Sequence, residues 1–157
     1  MDAIVKSSGV ARKTIYRYFG TKDELVAEAL RKRDERWMRW FIDGSNRAAT
    51  PTGRLLETFV VLEGWFFTPD FRGCAFINAA GEIGDAKDPI REVAKQHKIN
   101  LRNYLQQLAE EHGADDPGEL AEEFLLLIDG AITLALVMGN KEAARKAQNL
   151  ARKLLNV

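Results

Sequence analysis

Apolar positions recur along the chain at helical spacing, and no segment sustains the alternation of apolar and polar residues that marks a half-buried strand. Leu25, Val26, Ala29, Leu30, Trp37 and Phe41 make one stripe of a long helix. From Pro117 onward, Phe124, Leu125, Leu126, Leu127, Ile128, Ile132, Leu134, Leu136 and Val137 leave a helix apolar nearly all round. Such a helix is buried on several sides, which in a chain this small points to a subunit interface. The last helix sets Ala144, Ala147, Leu150, Ala151, Leu154 and Leu155 against Lys141, Arg145, Lys146, Arg152 and Lys153.

Capping residues divide the chain. Thr21 with Glu24 reads as a capping box, in which each side chain satisfies an orphan amide of the other residue. Asp116 with Glu119 reads as a second. Thr50-Pro51, Asp88-Pro89 and Asp116-Pro117 each put a capping side chain before a proline at the first helical position, where its missing amide costs nothing. Gly139-Asn140 ends one helix and is placed to cap the next. The predicted helices span 2–8, 12–19, 22–46, 51–67, 74–84, 89–112, 117–138 and 141–156. The fold class is therefore all-α, with a first domain over 1–46 and a second over 47–157.

Charge adds a location rather than a total. Lys and Arg together number 23, Asp and Glu also 23. Yet Lys6, Arg12, Lys13, Arg17 and Lys22 crowd the start, opposed only by Asp2. Glu110, Glu111, Asp115, Asp116, Glu119, Glu122 and Glu123 form an acidic stretch later. A single cysteine, Cys74, excludes an intramolecular disulfide framework and a multi-cysteine zinc site. No apolar run is long enough to span a membrane, and Met1 to Ile4 lack the pattern of a signal peptide, so a soluble cytoplasmic protein is the expectation.

Residues 2–22 hold two short predicted helices around a turn at Gly9, whose freedom to take a positive φ suits a tight reversal. Ile4, Val10, Ile15 and Phe19 supply an apolar seam between the helices. Arg12, Lys13, Thr14, Arg17 and Tyr18 occupy the other face of the second. A recognition helix needs that division: one side packed on its scaffold, the other free to donate to bases and phosphates. The segment Gly9 to Leu25, with its Gly-Val turn, Tyr16-x-x-Phe19 and Lys22-x-x-Leu25, resembles the signature of the TetR/AcrR family of bacterial transcription regulators. Gly73-Cys74-Ala75-Phe76-Ile77-Asn78 resembles a stretch of that family's sixth helix.

The resemblance implies a ligand-responsive regulator, most often a repressor, that binds a pseudo-palindromic operator in double-stranded DNA as a homodimer. Arg12, Lys13 and Tyr16 match the positions that reach base edges, and Thr14, Arg17, Tyr18 and Lys22 match phosphate-positioning ones. The later helices would enclose a pocket for a small-molecule effector. Its apolar candidates are Phe59, Trp65, Phe66, Phe76, Tyr104 and Phe124; its polar ones are Asn78, Glu82, Asp129 and Thr133. The last two helices would form the dimer interface.

Two departures stand out. Ala11 occupies the place where the family has a capping serine or threonine. The family's first helix has no counterpart after Met1, so the three-helix DNA-binding unit is incomplete, the natural protein is expected to extend upstream, and Ile4, Val5 and Phe19 should be partly exposed. A second reading follows from this: a dimeric sensing module that has lost DNA binding.

An enzyme is not expected, nor a metal or cofactor. His97 sits amid Lys95, Gln96 and Lys98 as on a solvated face, His112-Gly113 marks a helix end, and Cys74 lacks a basic partner at recognisable spacing. The mixed charges of Arg31 to Arg36, with Arg39, read as another solvated face, with a few arginines able to touch phosphates.

Overall fold

The computed structural model describes residues 1–157. It contains eight helices and no strand: α1 (Asp2–Ser8), α2 (Arg12–Phe19), α3 (Lys22–Ser45), α4 (Pro51–Phe66), α5 (Ala75–Glu82), α6 (Pro89–His112), α7 (Pro117–Met138) and α8 (Ala143–Leu154). Each predicted helix is present.

The start signals work through short-range bonds. At α3, the Glu24 amide donates to Thr21 Oγ1 (3.1 Å) and the Thr21 amide donates to the Glu24 carboxylate (3.2 Å). The side chains of Thr50 and Asp88 accept from Gly53 and Ile90 amides at the starts of α4 and α6. Two expectations are corrected. Asp116 accepts from the Glu119 amide, but no bond returns from Glu119, so only half of that box forms. Asn140 does not cap α8 with its side chain; Lys141 and Glu142 form a turn first, and α8 begins at Ala143 without a side-chain cap.

The chain is built as a small head on a helical bundle. In the head, α2 packs on the start of α3. Helix α3 then runs into the bundle and lies against α4 and α6. Helices α6, α7 and α8 pack in sequence, α4 closes the bundle against α6 and α8, and α5 lies on α6. The core is continuous, from Ala27 and Phe41 of α3 to Ala151 of α8. Its fully buried side chains include Phe41, Phe59, Phe66, Phe124, Leu101 and Leu105. On α3 the buried residue near the head is Ala27, while Ala29, assigned to the apolar stripe by the sequence pattern, is exposed. No helix is long and apolar enough to cross a membrane.

Candidate functional site

The head presents one polar helix face. Gly9 takes φ 69° and Gly20 φ 67°, so each reverses the chain in a conformation that side chains with a Cβ rarely adopt. At Gly20 a Cβ would also meet the Glu24 carboxylate at 2.6 Å, inside the capping box. Between these turns α2 buries Ile15 and half-buries Phe19. Ile4 and Val5 are also half-buried, whereas Val10 of the expected seam is 40 % exposed.

Opposite Ile15, Arg12, Lys13, Tyr16 and Arg17 are all exposed, and their spacing puts them on one side of α2. Thr14 is half-buried and Tyr18 is 72 % exposed. The Arg17 guanidinium lies over the Tyr18 ring, 5.2 Å from its centre. Arg12 forms an ion pair with Asp2 of α1. Lys22 is exposed at the first position of α3, where free backbone amides favour an anion. Ala11, in extended conformation, precedes α2 and gives it no side-chain cap.

From this head, α3 carries a buried polar contact into the bundle. His97 of α6 is 1 % exposed, so the sequence expectation of a solvated face is overturned. Its Nδ1 lies 2.7 Å from Asp34 Oδ1, and Asn100 donates to the other Asp34 oxygen at 2.7 Å. The ring stacks on Phe76 (centroids 3.8 Å, 15° between planes) and meets Trp37 edge-on at 5.0 Å. Burial holds the His97 pKa below its ordinary value, outweighing the bond to Asp34, and Lys98 pushes the same way. The neutral ring therefore carries its proton on Nδ1 and donates to Asp34. Two turns on from His97, Tyr104 shares a 2.5 Å hydroxyl bond with Ser45 at the end of α3. Burial raises the Tyr104 pKa against that bond. Asp34 and Ser45 are functional candidates that the sequence did not disclose.

The comparisons with known proteins bear on these two features together. Residues 51–151 match the family profile described as "Tetracyclin repressor-like, C-terminal domain", and residues 1–29 match "Bacterial regulatory proteins, tetR family". The chain belongs to the TetR family. It is thus a transcriptional regulator whose first domain is of the DNA-binding, helix-turn-helix type. It is similar to the HTH-type transcriptional regulator YjdC of Escherichia coli, 25 % identical over 142 residues that cover 88 % of this chain and 73 % of YjdC. The crystal structure of a TetR-type regulator from Streptomyces avermitilis superposes with a TM-score of 0.88 at 28 % identity, covering 100 % of this chain and 87 % of the other. A TetR-family regulator of Streptomyces coelicolor shares the fold, with a TM-score of 0.86 at 24 % identity over 99 % and 82 % of the two chains.

In this TetR-family chain the ten effector candidates are dispersed. Phe59, Phe66 and Phe124 are close-packed core; Phe59 and Phe124 lie 5.7 Å apart. Trp65 and Phe76 come together with Trp37 and His97 around a space of about 10 Å³, room for at most one water molecule. Asp129 is ion-paired with Lys98 at 2.5 Å, and Thr133 donates to the Asp129 carbonyl. Asn78 and Glu82 are exposed, and the Asn78 amide donates to the Arg72 carbonyl rather than to Glu82. Tyr104 is half-buried against Phe41.

Two other sequence expectations meet the same packing. Cys74 has a basic neighbour after all: Lys98 Nζ lies 3.8 Å from its sulfur, brought there from α6. His112 does end α6, and its Nδ1 is also 2.8 Å from the Thr52 hydroxyl.

The outer face of the family's last two helices is apolar. On α7, Leu126, Val137 and Met138 are 74 %, 74 % and 71 % exposed, and Leu134 and Leu136 are also open. On α8, Leu150 and Leu154 continue that surface beside the exposed Arg145, Lys146, Arg152 and Lys153.

Proposed function

We propose that this TetR-family regulator binds a pseudo-palindromic operator as a homodimer, represses transcription there, and is released by a small-molecule effector. The observation that carries the reading is the continuity of α3. One end abuts the exposed Arg12, Lys13, Tyr16 and Arg17 face; the other is bonded to α6 through Asp34 and Ser45. A ligand that moves α3 against the bundle changes the head's position, with a coupling of about 1–3 kcal/mol that must be reciprocal. In this reading residues 1–46 bind DNA and residues 47–157 sense and dimerise. Arg12, Lys13 and Tyr16 read bases; Thr14, Arg17, Tyr18 and Lys22 hold phosphates.

Dimerisation through α7 and α8 is supported by their exposed leucines, since a monomer rarely leaves so many large apolar side chains along one face. A two-fold pairing of that face sets two recognition helices against two half-sites.

A second reading, a dimeric sensor silent on DNA, is favoured by two features at the start of α2. Arg12 is engaged by Asp2, and Ala11 gives α2 no cap, so the recognition helix is neither free nor rigid at its start. Fluorescence anisotropy on labelled DNA from around the protein's own gene separates the two. The regulator binds specifically, with log affinity falling linearly in log salt. The silent sensor shows only weak binding without sequence preference.

A further inference from the structure

All three tryptophans of the chain meet at one surface. The rings of Trp37, Trp40 and Trp65 lie 5.8, 6.3 and 6.0 Å from one another, a triangle formed by α3 and α4. Trp40 is 39 % exposed, and Trp37 and Trp65 are half-buried. Trp40 and Trp65 border an open trough of about 660 Å³ between the two helices. The trough continues into a section of about 310 Å³ lined by Arg33, Arg36 and the three tryptophans. Arg39 and Arg47 stand along the larger section.

None of these four arginines is ion-paired, although Arg36 Nε donates to the Lys32 carbonyl at 3.2 Å, which leaves its terminal nitrogens for a ligand. The carboxylates of the trough, Asp43, Glu57 and Asp70, all line the larger section and none lines the smaller. The tryptophan end is therefore cationic. Arg33 and Arg36 are three residues apart on α3, hence neighbours on one face. Arg36 stands about 20 Å along α3 from Lys22, well back from the head. The wall of the trough is open at Gly64, where a Cβ would meet nothing within 4 Å.

We propose that this trough binds a planar aromatic carboxylate. Its ring lies against the tryptophans, and its carboxylate is held by the Arg33 and Arg36 guanidinium groups. Guanidinium matches a carboxylate with two parallel hydrogen bonds, and an indole face takes a flat ring by offset or edge contact. The ligand bridges α3, through Arg33, Arg36 and Trp37, to Trp65 of α4, so it acts on the helix that carries the head. This names the chemical class and place of the effector, and rests on the effector reading only for its consequence at DNA.

The test is calorimetric titration of the whole chain with 2-naphthoate, with 2-naphthylmethanol as the neutral counterpart. Naphthoate binds at one site per chain, and the alcohol binds at least about tenfold more weakly. The double variant Arg33→Gln/Arg36→Gln loses at least about tenfold in naphthoate affinity. Trp40→Ala removes the most exposed of the three rings and weakens naphthoate binding by at least about threefold; thermal melts check that the variant stays folded. Lys153→Gln, at the far end of α8, binds as the parent does. No binding of naphthoate, equal binding of the alcohol, or unchanged binding in the folded Trp40→Ala chain each overturns the proposal. DNA anisotropy with and without naphthoate then reads the coupling. Naphthoate binding weakened in Trp40→Ala, together with a parent DNA affinity that naphthoate leaves unchanged, sustains the site and overturns the effector reading instead.

Discussion

His97 and Asp34, 63 residues apart in sequence, share a 2.7 Å hydrogen bond between α6 and α3. Only 13 % of the Asp34 side chain and 2 % of that of His97 reach solvent. Asp34 also accepts from Asn100, so one carboxylate satisfies two donors of α6. Replacing Asp34 by alanine leaves both without an acceptor, and is expected to cost about 2–3 kcal/mol. Urea unfolding followed by tryptophan fluorescence measures this as a lower midpoint with an unchanged slope. A loss under about 0.5 kcal/mol would show that the bond contributes nothing to holding α3.

The same ring predicts a pH dependence. The His97 pKa is below its ordinary 6.5 in the folded chain, mainly through burial. Between the folded value and 6.5 the unfolded chain binds more protons, so stability rises with pH there. The contribution is complete above 6.5 and is lost as pH falls toward the folded value. For one proton the slope reaches at most about 1.4 kcal/mol per pH unit. Urea midpoints at about pH 7 and about pH 5.5 should differ more for the parent than for His97→Gln, which has no ring to titrate. Parallel curves for the two would assign the effect elsewhere.

A cap is missing from the recognition helix. Ala11→Ser supplies a hydroxyl for the orphan amides at the start of α2 and should stabilise it by about 1 kcal/mol. If DNA binding orders that helix, operator affinity rises by up to about fivefold, the same energy. Amide hydrogen exchange in residues 12–15 of the free chain should slow in parallel. Tighter exchange protection without tighter DNA binding would mean that α2 is already ordered before it meets DNA.

Arg12 and Arg17 should respond differently to substitution. Arg17→Ala removes one phosphate contact, weakens binding to all sequences alike, and lowers the salt slope by about 1. Asp2→Asn frees Arg12 from its ion pair and should strengthen operator binding. Anisotropy titrations over a salt series distinguish these. Weaker binding in Asp2→Asn would show that the pair orients Arg12 for DNA rather than competing with it.

The apolar face of α7 and α8 predicts assembly. Val137→Glu with Leu150→Glu puts charge on two exposed apolar positions without touching the core. Sedimentation equilibrium should then report a monomer where the parent is a dimer. Cooperative occupation of a two-half-site operator should be lost at the same time. A parent chain that sediments as a monomer would remove this interface from the mechanism.

The helices and their starts were legible because their causes are local. The Thr21–Glu24 box, the prolines after Thr50, Asp88 and Asp116, and the positive-φ glycines act within three or four residues of where they stand. The exposed face of α2 was legible for the same reason, since helical periodicity sorts Ile15 from Arg12, Lys13, Tyr16 and Arg17.

Side-chain partners across helices were not legible. His97 continues the helical stripe of Ile90, Val93, Ala94 and Leu101, so its spacing fits burial, but nothing near it in sequence signals the partner it meets there. Asp34 lies in a run of alternating charge whose other members are mostly solvated. Only the packing of α3 on α6 selects this carboxylate for burial, because a charge in the interior is tolerated solely where donors meet it. The closing of the interior around Phe59, Phe66 and Phe124, and the opening of a trough at Trp40 and Gly64, were decided in the same way. Helix periodicity says which residues face inward together. The relative placement of α3 and α4 decides whether the space between them is filled.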